Sequence, residues 1–111
     1  MRWSVMVPCL VVLTLLAGCV SIKFGREFAS PDAKTIVVGK TDKASIEKSF
    51  GEPYQAGLDG GDQTWRWFYG QRESGTGAEI SKDLTVRFNP DGTVKTYSFF
   101  SNFPEDLQRL K

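Results

Sequence analysis

Two thiols and no imidazole define the reactive repertoire of this 111-residue chain: Cys9 and Cys19 are its only cysteines, and histidine is absent. Their placement is unequal. Cys9 lies within the apolar run Val5 to Leu16, whereas Cys19 follows that run in Leu16-Ala17-Gly18-Cys19. Met1 to Ser4 carries one basic side chain, Arg2. A short basic start, an apolar stretch below the ~20 residues a bilayer span requires, and a small-residue pair form an export signal that leaves the mature chain.

The tetrad resembles the lipobox of bacterial lipoproteins, in which the cysteine thiol is diacylated, the chain is cut before it, and the new amino group is acylated. Residues 1–18 are therefore expected to be a signal peptide and Cys19 the lipidation site. Each buried methylene contributes about 0.8 kcal/mol, so two or more acyl chains anchor stably without a spanning segment. Val20 occupies the position where inner-membrane lipoproteins tend to carry Asp, which points by analogy to the outer membrane, facing the periplasm.

With Cys9 removed and Cys19 acylated, no thiol remains for a disulfide, a metal or nucleophilic attack. The whole chain has 14 basic and 13 acidic residues, and loss of Arg2 with the leader makes the mature protein formally neutral. A neutral chain lacks the clustered Lys and Arg that phosphate neutralisation in nucleic acid demands. About 90 mature residues suffice for one small domain.

Other reactive patterns are weak. Gly39-Lys40-Thr41 has the ending of a phosphate loop, but position 34, where the first glycine belongs, is Lys34. Gly75-Thr76-Gly77 is an isolated pair of glycines without a βαβ unit. Asp59 and Asp62 supply two carboxylates where a calcium ion wants six to eight oxygens. No serine sits in a recognisable nucleophile motif. Neither enzyme activity nor a cofactor is expected, apart from covalent acyl chains on Cys19.

Residues 19–29 read as the lipidated cysteine and a tether, 30–103 as the domain, and 104–111 as a tail with at most one helical turn. Ser30-Pro31-Asp32 has the chemistry of a helix start and predicts a short helix to Ile36 or Val37, closed by Gly39. Thr41-Asp42 predicts a second helix ending at Gly51, with Ile46 and Phe50 on one face. Tyr54 to Gln63 reads as turn-rich, and Thr64 to Tyr69 as a strand with Trp65, Trp67 and Tyr69 inward. Gly70 to Lys82 is expected to be a mobile loop. Leu84 to Phe88 and Thr93 to Phe100 form a hairpin about Asn89-Pro90-Asp91-Gly92. With Phe88 opposite Thr93, Val94 would point outward. The expected architecture is α+β: two short N-terminal helices packed on a three-stranded antiparallel meander sheet.

In order, Gly25 to Phe28, Ile36 to Thr41 (I-V-V-G-K-T), Phe50-Gly51-Glu52-Pro53, Trp65 to Tyr69 and Leu84 to Gly92 (L-T-V-R-F-N-P-D-G) resemble the SmpA/OmlA family of small outer-membrane lipoproteins. The resemblance implies the same two-helix, three-stranded domain on the inner leaflet of the outer membrane. It also implies a non-catalytic role among protein partners of β-barrel assembly, with anionic lipid as a further contact. Phe28 matches an aromatic of the family's partner-facing surface. Arg26 and Glu27 stand where uncharged residues are usual, and Gly70 where a basic one would suit a contact.

The residues themselves add a second candidate surface. Phe68 and Arg66 share the outward face of the aromatic strand, and Phe68, Val94 and Phe100 are expected to make an apolar patch there. Candidate partner-binding residues are thus Arg26, Phe28, Arg66, Phe68, Val94 and Phe100. The leading reading is a lipid-anchored accessory subunit of an envelope complex. The alternative is a stand-alone periplasmic binding or inhibitor lipoprotein presenting the 70–82 loop to an envelope enzyme.

Overall fold

The structure is a computed structural model that describes residues 20–109; the expected signal peptide, the expected lipidation site Cys19 and the last two residues lie outside the described region. Among the described residues, five strands and two short helices follow in the order β1 (Ser21–Gly25), α1 (Lys43–Phe50), β2 (Gln55–Asp59), β3 (Asp62–Glu73), β4 (Glu79–Phe88), β5 (Val94–Ser101) and α2 (Pro104–Gln108). All strand pairings are antiparallel.

The expected two helices on a three-stranded sheet are therefore overturned: the domain is mostly one five-stranded sheet. β3 is its spine. β2 pairs with the first half of β3 and β1 with the second, so two short strands share one edge end to end. β4 and β5 continue the sheet on the other side.

The expected first helix fails for a local reason. The Asp32 carboxylate accepts the amides of Lys34 and Thr35 at 2.9 and 3.0 Å and the Thr35 hydroxyl at 2.9 Å, as a helix cap does. Beyond that turn come Ile36, Val37, Val38 and Gly39, three β-branched residues and a glycine that give the nucleus nothing to propagate. Ile36 drops into the core and the chain turns away. The second expected helix does form as α1. Asp42 accepts the Ser45 amide at 2.9 Å, and the Gly51 amide donates to the Glu47 carbonyl at 2.8 Å with φ at +81°.

Two segments read as irregular are strands. Residues 21–25, assigned to the tether, form β1; residues 55–59, assigned to a turn-rich stretch, form β2. Gly60 and Gly61 both take positive φ, the requirement of a two-residue hairpin loop whose twist matches its strands. The expected mobile 70–82 loop contracts to residues 74–78, because β3 runs on to Glu73 and β4 starts at Glu79.

The Asn89–Gly92 turn forms as expected, with the Gly92 amide donating to the Asn89 carbonyl at 2.9 Å. Its register differs. Phe88 pairs with Val94 and Arg87 with Thr96, leaving Lys95 as the extra residue of a bulge. That bulge turns Val94 inward, where it is fully buried.

One face of the sheet carries the core: Trp67, Tyr69, Leu84, Val86, Phe88 and Val94 meet Ile46 and Phe50 of α1, Phe28 and Ile36 of the preceding coil, and Phe103 before α2. The opposite face is covered by neither helix.

Candidate functional site

The six candidate contact residues divide between the two faces. Phe28 and Val94 belong to the core, which corrects both as surface contacts. Phe28 is edge-on to Phe99, with ring centroids 6.5 Å apart. The Val94 amide donates to the Thr41 carbonyl and its carbonyl accepts the Gly39 amide, each at 2.8 Å. These bonds also occupy the Gly39 amide that a phosphate loop would need.

Arg66, Phe68 and Phe100 lie on the uncovered face. Arg66 pairs with Asp83 at 2.5 Å, and that carboxylate holds the guanidinium still more firmly protonated. Phe68 and Phe100 flank Asp83 from neighbouring strands, so the ion pair interrupts the expected patch. Phe68 instead leans over Gly70 and toward Tyr54, whose ring lies 6.4 Å from its own. Arg26 is exposed, its amide donating to the Phe68 carbonyl at 3.0 Å and its guanidinium 3.8 Å from Glu52.

Sequence reasoning missed the stripe Val20, Ile22 and Phe24. These alternate residues share the uncovered face with Phe68, since Phe24 lies opposite Gly70 and Ile22 opposite Arg72. It also missed a groove of about 690 Å³ between residues 31–33, β5 and α2, lined by Pro31, Ala33, Tyr97, Phe99, Phe100 and Leu107. The apolar alternation of β5 was the available signal for the groove.

Beneath that groove lies a polar chain. Lys82, buried on the core face, donates to the Phe28 carbonyl and to Ser30 Oγ at 3.2 Å, with its ammonium 4.8 Å from the Phe28 ring centroid. Ser30 donates in turn to Asp106 at 3.0 Å. Serine beside lysine raises the question of a nucleophile and its base. The Ser30 hydroxyl bridges the two charges, accepting from Lys82 and donating to Asp106. Asp106 already accepts from Ser101 and, at 2.6 Å, from Arg109. The chain ties the 28–30 coil, β4, β5 and α2 together.

Burial, the largest single influence, pushes the Asp106 carboxyl up, but the Ser101 and Ser30 hydroxyls and the Arg109 guanidinium together bring it below its ordinary value. A carboxyl depressed in the folded state contributes stability above its unfolded pKa of about 3.9, and that contribution is lost as pH falls through the lower folded value. In urea titrations the unfolding midpoint should fall with pH below about 4. Asp106→Asn should lower the midpoint at pH 7 and flatten part of that acid slope; an unchanged slope would remove Asp106 from the linkage.

No group of three or more Cys, Asp or Glu is placed to hold a metal among the described residues. In the Asp59–Asp62 turn the protein's own cations take the oxygens: Lys95 and Arg87 each reach the Asp62 carboxylate at 2.9 Å, and Arg87 also reaches the Asp59 carbonyl. The Lys95 hydrogen bond leads the influences that hold Asp62 below the usual carboxylate range.

The chain matches no family model and no curated protein.

Proposed function

We infer that the chain is a lipid-anchored envelope lipoprotein that acts without catalysis, as an accessory or scaffold subunit at the periplasmic face of the outer membrane. Its leading context is outer-membrane β-barrel assembly. The observation that supports this most is the junction between anchor and fold. Val20 follows Cys19 directly, its amide donates to Ser74 Oγ at 3.0 Å, and its carbonyl accepts the Ser74 amide at 3.2 Å. Acyl chains on Cys19 would therefore hold a folded domain at the membrane surface with no leash between them.

The alternative inhibitor reading rested on a long mobile loop at 70–82. A five-residue turn at 74–78 does not supply one.

Mass spectrometry of the native product tests the anchor: a triacylated Cys19 terminus is expected, and a free thiol or another terminus would refute it. Affinity purification from detergent-solubilised envelopes tests the role, with barrel-assembly components expected in the eluate and their absence counting against it. Cys19→Ser should release the protein to the soluble periplasmic fraction while leaving its urea unfolding cooperative, because the core is assembled from residues between Phe28 and Phe103. Loss of cooperativity would contradict the separation of anchor from fold.

A further inference from the structure

β1 is amphipathic in the wrong sense for its own fold. Every other strand that carries a clear apolar face turns it toward the helices, as Trp67 and Tyr69 do on β3. On β1 and its extension the apolar residues Val20, Ile22 and Phe24 point to the uncovered side and remain 62, 45 and 38 % exposed. Ser21 and Lys23 take the core side, Lys23 lying opposite Gln71. Among the described residues only Arg72 is stacked over this set, 5.9 Å from the Phe24 ring centroid, and period-two alternation left so exposed marks a contact surface.

We propose that this stripe lies in the headgroup region of the bilayer, so that Val20, Ile22 and Phe24, continued by Phe68, form a second membrane contact beside the acyl chains. The inference rests on the anchor reading of Cys19. Under that reading the acylated residue directly precedes Val20, and two hydrogen bonds to Ser74 hold Val20 to the end of the sheet. Whatever the domain does, this end of the sheet stays at the lipid surface.

The distance decides the orientation. At ~3.3 Å per residue, an upright β1 would lift Phe24 about 17 Å from the acylated residue, beyond a headgroup layer about 5–7 Å deep. Laid along the surface with the uncovered face down, the strand brings all three apolar side chains to one depth. The arginines of that face are already paired: Arg66 with Asp83, Arg72 with Glu79 and Arg87 with Asp62. The contact is thus driven by apolar burial and works on zwitterionic lipid, without requiring anionic headgroups.

The test uses the lipidated full product in phosphatidylcholine nanodiscs, with an environment-sensitive fluorophore on single cysteines introduced by Ile22→Cys, Phe24→Cys, Leu58→Cys or Asp91→Cys. Acylated Cys19 does not react with the label, and circular dichroism confirms each fold. Leu58 and Asp91 are exposed at the opposite end of the sheet. Expected is several-fold stronger quenching by lipid-borne nitroxide at 22 and 24 than at 58 and 91, with a blue shift at the first pair alone. Equal quenching at all four, with mass spectrometry showing acyl chains on Cys19, overturns the inference and leaves the anchor standing. An unmodified Cys19 and no nanodisc binding overturns both. Shielding of 22 and 24 that arises only on adding envelope extract assigns the stripe to a protein and overturns the lipid contact.

Discussion

Trp67→Ala is expected to destabilise the domain by about 3–5 kcal/mol, against a total of about 5–15 kcal/mol for an ordinary domain. Trp67 is the largest fully buried side chain among the described residues. Its ring lies 5.8 Å from Phe50 and 6.1 Å from Trp65, so it fills the space between α1 and the sheet spine. The indole Nε1 also donates to the Gly51 carbonyl at 3.2 Å, at the residue that ends α1. Truncation opens a cavity and leaves that carbonyl without its partner. Trp67→Phe separates the two effects: it keeps most of the packing and gives up the hydrogen bond, worth about 0.5–1.5 kcal/mol. Urea unfolding followed by circular dichroism should rank the variants wild type, Trp67→Phe, Trp67→Ala. Equal midpoints for Trp67→Ala and wild type would mean that the core closes without it.

The same strand shows what the sequence could reveal. Trp65, Trp67 and Tyr69 alternate with Arg66 and Phe68, and the inward set follows from that pattern alone. The caps of α1 and the Asn89–Gly92 turn were equally readable, because each is a local hydrogen-bonding pattern set by side-chain chemistry. What failed depended on partners distant in the chain. Ser30-Pro31-Asp32 looks like a helix start and supplies the capping bonds, but whether a turn becomes a helix depends on the residues after it. β1 gave no usable signal, since its apolar face points away from the core. The Gly60-Gly61 pair is a hairpin signal, and reading all of 54–63 as turn-rich passes over the strand that precedes it.

The register of β5 shows the limit most plainly. A bulge placed at Gly92 and a bulge placed at Lys95 satisfy the same turn, yet they send Val94 to opposite faces. Segment 39–41 favours the second, its backbone bonding both the amide and the carbonyl of Val94 along the edge of the strand. Of the candidate residues, the placement of Arg66, Phe68 and Phe100 on the uncovered face was legible from alternation. Val94 was lost to that bulge. Phe28 was assigned from family likeness, and packing against Phe99 and Lys82 takes it inside.

Gly25→Ala is expected to detach β1 and to cost about 3 kcal/mol or more, of which about 1–2 kcal/mol is the left-handed backbone alone. Gly25 has φ at +74°, and a Cβ placed there would lie 2.2 Å from the Phe68 carbonyl oxygen. Ordinary carbon-oxygen contacts are about 3.3 Å, so strand and oxygen must part by about 1 Å. The oxygen cannot simply retreat, because it accepts the Arg26 amide at 3.0 Å, the bond that closes β1 onto β3. Gly39→Ala is the control: its φ is +82°, but nothing lies within 4 Å of the added carbon. Gly39→Ala should therefore show only the backbone contribution, and the difference between the two variants measures the clash. Hydrogen exchange should locate the damage, with the amides of Ile22 to Arg26 losing protection in Gly25→Ala while those of β4 keep theirs. Equal midpoints for the two alanine variants would show that β1 yields without loss. A deprotected β1 in a domain that still unfolds cooperatively would show that the rest of the sheet stands without this strand.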